Sequence, residues 1–487
     1  MIRRPSPDET LARGGGGPQA GFSVVLAVFS ILILLTLGIA MVSMVVEDSD
    51  SSVLHVQENQ AFYAAHAGVE YAIVKLSTNW AWGGLPSPGK NVGAGYYWIA
   101  PPDGVDETGA ALPAGTKRIV STGVVGTAQR QIQVQVSGGT ISTYAGTGAQ
   151  GYTGDGAAAT AARLNDPEGI GIASNGDVYV ADTDNNVIRK IAAATGIITT
   201  VAGNGGPGSS GDGGAATSAR LKAPEDVFVA SNNDLYIADT GNHEIRKVSA
   251  ATGIITTVAG NGGPGSSGDA GAATSARLNS PRGIAVASNG DFYIGDRSNN
   301  KVRKVTALTG IITTYAGTGA AGYSGDGGSA LLARMDRLQG IHLASNGDLY
   351  IADANNNAIR RVSSLGIMST VAGTGTAGFS GDGGPATSAR LNAPEAVHLT
   401  SSGDLYIADT VNNRIRKISG TTITTIAGTG VAGAGGDGGL ATSAQLDTPR
   451  GIAISSTGAY YIGDRANHKV RRVTGVLSVV AWVETRT

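Results

Sequence analysis

The stretch PRGIAVASNGDFYIGDRSNNKVRKVTALTGIITTYAG, residues 281–317, contains four short runs that are rich in β-branched and aromatic residues. The runs are GIAVA (283–287), DFYIGD (291–296), KVRKV (301–305) and IITTYAG (311–317), and the turn SNG separates the first two. Such runs, divided by Gly, Asn and Ser, are typical of antiparallel strands joined by tight turns. The stretch therefore predicts a four-stranded antiparallel sheet.

The same pattern occurs six times between residues 141 and 473. Each copy has an Asp at the end of its YIAD-type strand: Asp182, Asp239, Asp296, Asp353, Asp409 and Asp464. Each also has an Asp in an SGDGG-type turn, at 155, 212, 269, 326, 382 and 437, with spacings of 57, 57, 57, 56 and 55 residues. Four strands in a period of this length are typical of a β-propeller, and six repeats close a ring. An open solenoid would need atypical polar end caps, so we expect a mainly β fold with a six-bladed propeller over residues 140–475.

The array has one strand too many for six blades. Both ISTYAG (141–146) and VLSVVAW (476–482) resemble the strand that closes each repeat, but only the first runs into the usual turn. We therefore expect 141–146 to be the outer strand of the last blade, beside His468–Val473. The strand at 476–482 is then free to pair with Gln131–Val136, outside the ring.

The repeated motif resembles a known family. The pattern ARLNxPxGIAxxxNGDLYIADTxNNRIRKV is similar to NHL repeats over about residues 141–473. The resemblance implies an NHL-type propeller. Because some NHL proteins are metal-dependent lyases, it also leaves open an enzyme tethered outside the membrane.

The N-terminal part of the chain predicts a membrane anchor. Residues 22–46 are apolar and uncharged, and as a helix they would be roughly 37 Å long, which is enough to cross a bilayer of about 30 Å. Arg3, Arg4 and Arg13 precede this span, which predicts a cytoplasmic N-terminus and an exported remainder. The helix is expected to continue to about Thr78, with an apolar face that includes Val56, Tyr63 and Tyr71.

The segment before residue 80 resembles type IV prepilins. A basic leader ends at Gly21 and is followed by Phe22 and an apolar helix, and QAFYAAHAGVEYAI (60–73) is similar to PilX-like minor pilins. The resemblance implies cleavage between Gly21 and Phe22 by a prepilin peptidase. Major pilins carry Glu at the fifth mature position, but here that residue is Leu26, which favours a minor subunit.

These patterns divide the chain into four parts. They are a leader (1–21), a transmembrane and pilin-type helix (22–80), a small pilin-like α+β head (81–139, completed by 476–487) and the propeller (140–475). In the head, strands are expected at 95–101 and 117–139. Two strands form only a marginally stable sheet, and this is why the head needs the last strand of the chain.

Composition excludes several kinds of site. The formal net charge is -2, which gives no support for nucleic-acid binding, and the absence of cysteine excludes disulfides and thiolate metal sites. The six histidines show no zinc-ligand spacing, and each SGDGG turn offers one carboxylate where calcium needs several. We therefore expect no metal, no cofactor and no catalytic residues.

Deviations from the repeat mark the candidate binding residues. Arg replaces the common residue at two positions in blades 3 and 6, so the ring looks like a duplicated three-blade half with blades 3 and 6 opposite each other. The candidates are Arg282, Arg297, Arg450 and Arg465, with Glu168, Glu225 and Glu395 at matching positions and with His342 and His398 lining the channel. The arginines either bind an anionic ligand at a common mouth or pair with these glutamates in a solvated rim.

The sequence therefore predicts a minor subunit of a type IV pilus or related filament, with the tip as one location, that displays its propeller as a binding and adhesion module. Its expected partners are other pilin subunits, the prepilin peptidase, the inner membrane and a protein or glycan ligand. It would be a single-pass inner-membrane protein before assembly and would then reach the cell surface. The alternatives are the tethered lyase and an anchored receptor or scaffold outside any filament.

Overall fold

The computed structural model describes residues 52–78, 84–92, 95–101, 116–125, 128–137, 139–475 and 478–486, all within one compact unit, Glu47–Thr487. The predicted leader and the predicted membrane span at 22–46 lie outside the described residues. None of the helices in the described part of the chain has both the length and the apolar character needed to cross a membrane.

Within the described residues, six four-stranded antiparallel sheets form the blades of a propeller. The inner strands are Pro167–Ile172, Asp226–Val229, Pro281–Val286, Leu338–Leu343, Pro394–Leu399 and Pro449–Ile454. The second strands are Val178–Asp182, Leu235–Asp239, Phe292–Asp296, Leu349–Asp353, Leu405–Asp409 and Tyr460–Asp464. The third strands are Val187–Ile191, Glu244–Val248, Lys301–Val305, Ala358–Val362, Arg414–Ser419 and Lys469–Thr474. The outer strands are Ile198–Ala202, Ile255–Ala259, Ile312–Ala316, Met368–Ala372, Thr422–Ala427 and, in blade 6, Thr140–Ala145.

Two short 3₁₀ helices accompany each blade. One set follows the second strands: Thr183–Asn185, Thr240–Asn242, Arg297–Asn299, Ala354–Asn356, Thr410–Asn412 and Arg465–Asn467. The other set lies at the outer edges: Ala159–Ala161, Ala216–Ser218, Ala273–Ser275, Ala330–Leu332, Ala386–Ser388 and Ala441–Ser443.

The ring is closed by the first strand of the propeller. Thr140–Ala145 pairs with the third strand of blade 6, with Thr140 opposite Thr474 and Ala145 opposite Val470. Each inner strand contacts the inner strands of both neighbouring blades, including the first and the last. The six four-stranded sheets expected from the repeat are therefore present, and the strand at 141–146 has the place that its sequence predicts.

A repeated ion pair fills the interior of each blade. In blade 1, Asp182 lies 3.3 Å from Arg189 with both side chains fully buried, and Arg189 reaches Asp155 of the SGDGG turn at 2.7 Å. Asp182 also accepts hydrogen bonds from the Asn165 backbone N–H and from Asn185. Because a buried charge must be paired and hydrogen-bonded, this arrangement recurs in every blade as scaffolding.

A hydrogen bond between adjacent blades also recurs around the ring. In each blade a left-handed Asn or His accepts from a backbone N–H at the start of the next blade. In blade 6 it is His468, whose Nδ1 accepts from the Asp166 N–H at 3.2 Å and so joins the last blade to the first. In blade 3, Asn300 accepts from the Arg337 N–H at 2.7 Å.

The head is one helix packed on an antiparallel sheet. The helix α1 is Ser52–Thr78, and the strands are β1 (Leu85–Val92), β2 (Gly95–Ile99), β3 (Thr116–Val125) and β4 (Ala128–Ser137). In the described residues the sheet order is β1-β2-β3-β4 followed by the last strand, Ser478–Arg486. The last strand pairs with β4, for example Val479 with Val136 and Thr485 with Gln131, which is the pairing that the sequence predicts.

Two expectations for the head were wrong. The single strand expected at 117–139 is a hairpin of β3 and β4, and no strand was expected at β1, which contains two prolines. β1 lies at the edge of the sheet, which is where a strand tolerates proline.

The buried face of α1 also differs from the expected one. Tyr63 is 41% exposed, whereas Ala61, Ala64, Ala65 and Val69 are buried against the sheet. A Cβ added to Gly123 of β3 would lie 2.0 Å from the backbone oxygen of Ala61. Since the helix and the sheet approach so closely, small residues form the contact, and a hydropathy pattern does not mark them.

Candidate ligand-binding site at the channel mouth

The inner strands of the six blades line a central channel with a cavity of about 300 Å³. The first residues of these strands place charged side chains at one end, which we call the charged mouth. It contains Glu168, Glu225, Arg282, Gln339, Glu395 and Arg450, one from each blade, together with Arg297 and Arg465. Branched aliphatic residues, among them Ile170, Ile341 and Val397, form the walls.

Arg282 forms the centre of the charged mouth. Its guanidinium lies 2.7 Å from Glu168 Oε2, 3.0 Å from Glu225 Oε2 and 2.8 Å from Glu395 Oε2. It also donates to Gln339 Oε1 at 2.5 Å. One side chain of blade 3 therefore contacts blades 1, 2, 4 and 5, and at 4% exposure it is buried between them.

Arg450 and Arg465 of blade 6 contact the same carboxylates from the other side. Arg450 lies 2.6 Å from Glu168 Oε1 and 3.0 Å from Glu395 Oε2. Arg465 Nε lies 3.1 Å from Glu168 Oε1. Glu168 is therefore shared by three arginines and is almost fully buried.

Burial and pairing act against each other on these carboxylates. Burial raises the pKa of Glu168 above its usual value despite the opposing charges of Arg282 and Arg450. Burial also acts to raise the pKa of Glu395, but Arg282 and Arg450 outweigh it and the pKa is lowered. For Arg282, burial favours the neutral form, but the surrounding glutamates outweigh it and raise its pKa.

Arg297 is the least neutralised arginine at the mouth. Its Nη1 lies 3.3 Å from Glu225 Oε2, an oxygen that is already 3.0 Å from Arg282 Nε. Burial lowers the pKa of Arg297, and the nearby positive charges of Arg282 and Arg337 lower it further, while Glu225 opposes them.

The structure thus brings all four predicted arginines and all three predicted glutamates to one mouth. Of the two alternatives that the sequence left open, pairing with the glutamates is present. The description of that cluster as a solvated rim was wrong for Arg282, because the five blades that meet around it exclude solvent.

The two predicted histidines line the other part of the channel. His342 and His398 occupy the same position on adjacent inner strands, and their ring centroids are 4.6 Å apart. Burial lowers the pKa of His342 to about 4, and burial with the nearby His342 lowers the pKa of His398 to about 3. Both are therefore neutral at physiological pH. The described residues contain no cluster of three or more His, Cys, Asp or Glu that would hold a metal.

Sequence reasoning missed three charged residues near the mouth. Asp226 lies behind Glu225 and accepts from the Ile284 N–H at 3.1 Å, and its pKa is raised to about 6 by burial. Asp166 and Arg337 immediately precede the inner strands of blades 1 and 4. The signal that would have found this pair is the position before the inner strand, which is followed by Pro167 in blade 1 and by Leu338 in blade 4, and where the charge reverses between these two blades.

Two family models match parts of this chain. Residues 120–210 and 262–324 match the model for the Teneurin NHL domain, and residues 221–248 match the NHL repeat model. Parts of the propeller are therefore similar to NHL-repeat domains. These matches support the NHL resemblance, and they give no support to the pilin resemblance of the N-terminal segment.

Curated relatives match part of the chain. An Arabidopsis thaliana protein, SUPPRESSOR OF QUENCHING 1, chloroplastic, is 31% identical over 268 residues, which is 53% of this chain and 25% of the relative. NHL repeat-containing protein 2 of Bos taurus is 29% identical over 283 residues, which is 52% of this chain and 39% of the relative. Each match spans well under two thirds of the relative.

Solved structures support the fold alone. A protein of unknown function from Bacteroides thetaiotaomicron has a TM-score of 0.53 at 17% identity, covering 80% of this chain and 92% of that chain. An auxiliary nutrient binding protein from Bacteroides ovatus has a TM-score of 0.52 at 16% identity, covering 78% and 94%.

Proposed function

We propose that this protein is a membrane-anchored, pilin-like minor subunit that displays an NHL propeller as a binding module. The observation that carries the proposal is the way the propeller joins the head. It leaves the head sheet after β4 and returns to the same sheet as the last strand, directly beside β4. The propeller is therefore an insertion between two neighbouring strands of a helix-and-sheet carrier.

The junction lies toward the C-terminal end of α1. Arg130, near the start of β4, pairs with Glu58 in the first part of the helix at 2.9 Å. Two residues further on, Ile132 pairs with Ser121, which lies against Gly68. β4 therefore runs along the helix toward its C-terminal end before the chain enters the propeller.

The charged mouth lies on the face of the propeller opposite the junction. The chain enters at Thr140 and leaves at Thr474, and these two residues pair. The same end of blade 6 holds Ile454 and Tyr460, whereas Arg450 is at the opposite end of the inner strand. The charged mouth is therefore at the end of the inner strands that lies away from the connections to the head.

The ligand in this proposal is acidic, an anionic glycan or a carboxylate-rich protein surface. Arg465, Arg450 and Arg297 are the more exposed arginines of the mouth, with 31%, 19% and 17% of their side chains exposed, against 5% for Arg282. Attachment is expected to weaken as salt is added, because exposed charges are screened.

The test of the pilin part is the N-terminus of the mature protein. We expect it to be Phe22, and we expect Gly21→Val to leave the precursor uncut, because a prepilin-type leader requires the small residue before the cut. Gly16→Val, in the same leader, is the matched control and should be processed normally. N-terminal sequencing of membrane and surface fractions gives the answer.

A mature chain that begins at Met1, or one that is cut after Val46, would contradict the pilin reading. The uncut chain would instead correspond to an anchored receptor or scaffold outside any filament.

A further inference from the structure

The two halves of the charged mouth are not equivalent. Arg297 of blade 3 and Arg465 of blade 6 occupy the same position in the repeat. Arg465 contacts Asp166 Oδ2 at 2.5 Å and Glu168 at 3.1 Å, so two carboxylates surround it. In the described part of the chain, Arg297 pairs with one carboxylate, Glu225 at 3.3 Å, and Glu225 is closer to Arg282.

The difference arises from one position in the following blade. Asp166 in blade 1 and Arg337 in blade 4 both precede the inner strand, and both have a left-handed backbone with φ of 54° and 55°. Both donate their backbone N–H to the preceding blade, to His468 and Asn300. The backbone is therefore the same in the two places, while the side chain beside the arginine has the opposite charge.

Arg337 leaves a local excess of positive charge. It is exposed, and within the described residues it forms no ion pair with Asp or Glu. The pKa of Arg297 is lowered by burial, and the positive charges of Arg282 and Arg337 lower it further, while Glu225 opposes them. Two guanidinium groups that repel each other are stabilised when an anion lies between them.

We propose that Arg297 and Arg337 form an oxyanion subsite, for a carboxylate or sulfate group, between blades 3 and 4 at the charged mouth. Guanidinium groups present parallel N–H donors that match the two oxygens of such a group. The subsite rests on the proposed function in one respect, which is that the propeller face with the charged mouth is exposed to an external ligand. It also reduces the four arginines predicted to bind an anion to Arg297, because Arg282, Arg450 and Arg465 each contact two or more carboxylates, whereas Arg297 contacts one.

The test replaces Arg337 of blade 4 with Asp, the residue that blade 1 has at the equivalent position, Asp166. The full chain in detergent is titrated with inorganic sulfate, an oligogalacturonate and a sulfated oligosaccharide, with neutral dextran as a blank. We expect binding of at least one anionic probe, a tenfold or larger loss of affinity in Arg337→Asp, and a similar loss in Arg337→Gln. Arg390→Asp, an exposed site on the outer edge of blade 5, makes the same charge change and should stay within twofold of the wild type.

The reciprocal substitution in blade 1 is expected to create a second anion site. Asp166→Arg copies blade 4 into blade 1 and removes one carboxylate from Arg465, so a second site should appear and the stoichiometry should rise from one to two. The two oligosaccharides distinguish carboxylate from sulfate ligands.

Two results would overturn the subsite. One is a wild-type chain that binds none of the anionic probes, and the other is an Arg337→Asp chain that is folded and binds as the wild type does. Neither result bears on cleavage after Gly21, so the failure of the subsite and the failure of the pilin reading can be told apart.

Discussion

Two kinds of buried arginine stabilise the propeller. Arg189 and its five counterparts each lie inside one blade, bound to aspartates of the same repeat. Arg282 differs because it has no equivalent contact set in another blade, and its partners come from four other blades. A buried ion pair adds little net stability over apolar packing, but removal of one partner leaves an uncompensated charge. Arg282 is therefore the residue whose loss should matter most to the ring.

We expect Arg282→Met to lower the free energy of unfolding by about 3–5 kcal/mol, because Glu168, Glu225 and Glu395 would lose their common partner. The exposed Arg390→Met is the control and should stay within about 0.5 kcal/mol of the wild type. Urea unfolding of the propeller measures both. Equal effects of the two substitutions would show that the cluster is not structural.

The channel histidines predict a dependence of stability on pH. The pKa values of about 4 for His342 and about 3 for His398 lie below the value of about 6.5 for an unfolded histidine. Below about pH 6.5 the unfolded chain binds more protons, so the free energy of unfolding falls as the pH falls toward 4. The slope is at most about 1.4 kcal/mol per pH unit for each histidine.

The matched variant is His342→Phe with His398→Phe, since Phe228 occupies the same position in blade 2. Buried aspartates such as Asp182, whose pKa is raised to about 6, act in the opposite sense below pH 6, so only the difference between variant and wild type isolates the histidines. Thermal unfolding from pH 7 to pH 4 should give a flatter profile for the variant. Parallel profiles would mean that the histidines are protonated without cost in the folded protein.

At the scale of elements, the last strand determines how complete the head sheet is. Without Ser478–Arg486, β4 would be an edge strand, and the sheet would retain β1, whose two prolines limit its pairing, at the other edge. The propeller does not need this strand to complete a sheet, because Thr140–Ala145 is already the outer strand of blade 6.

Deletion of residues 478–487 should therefore loosen the head and leave the propeller intact. Backbone amides of β4 should lose protection from hydrogen exchange, while amides of the six second strands should keep theirs, since their partners are unchanged. Hydrogen exchange on the full chain and on the deletion variant makes the comparison. Loss of protection throughout the propeller would mean that the last strand stabilises the ring.

At the scale of the whole molecule, the insertion determines orientation. Entry and exit strands that pair with each other tie blade 6 to the head by two chains, through Gly139 and Gly475. Two connections side by side restrict rotation of the propeller relative to the head more than one flexible linker would. The charged mouth is at the other end of the inner strands, so the same connection that fixes the propeller leaves that mouth free for a ligand.

The sequence by itself determined the repeat, the strand order within a blade, the number of blades and the closure of blade 6 by residues 141–146. These features follow from the local pattern of strands and turns, which occurs six times along the chain. It also placed the seven charged candidates at one mouth, because equivalent positions in a closed ring must meet.

Only the tertiary structure decided what those charges do. Contacts such as Arg282 with Glu168 join residues 114 positions apart, and the sequence does not reveal which side chain is buried at the centre. It also does not show that Asp166 pairs with Arg465, while the equivalent position near Arg297 holds a residue of opposite charge, Arg337. The small residues of α1 and the edge strand β1 were missed for the same reason: close approach and edge position are properties of packing, and hydropathy and strand propensity do not encode them.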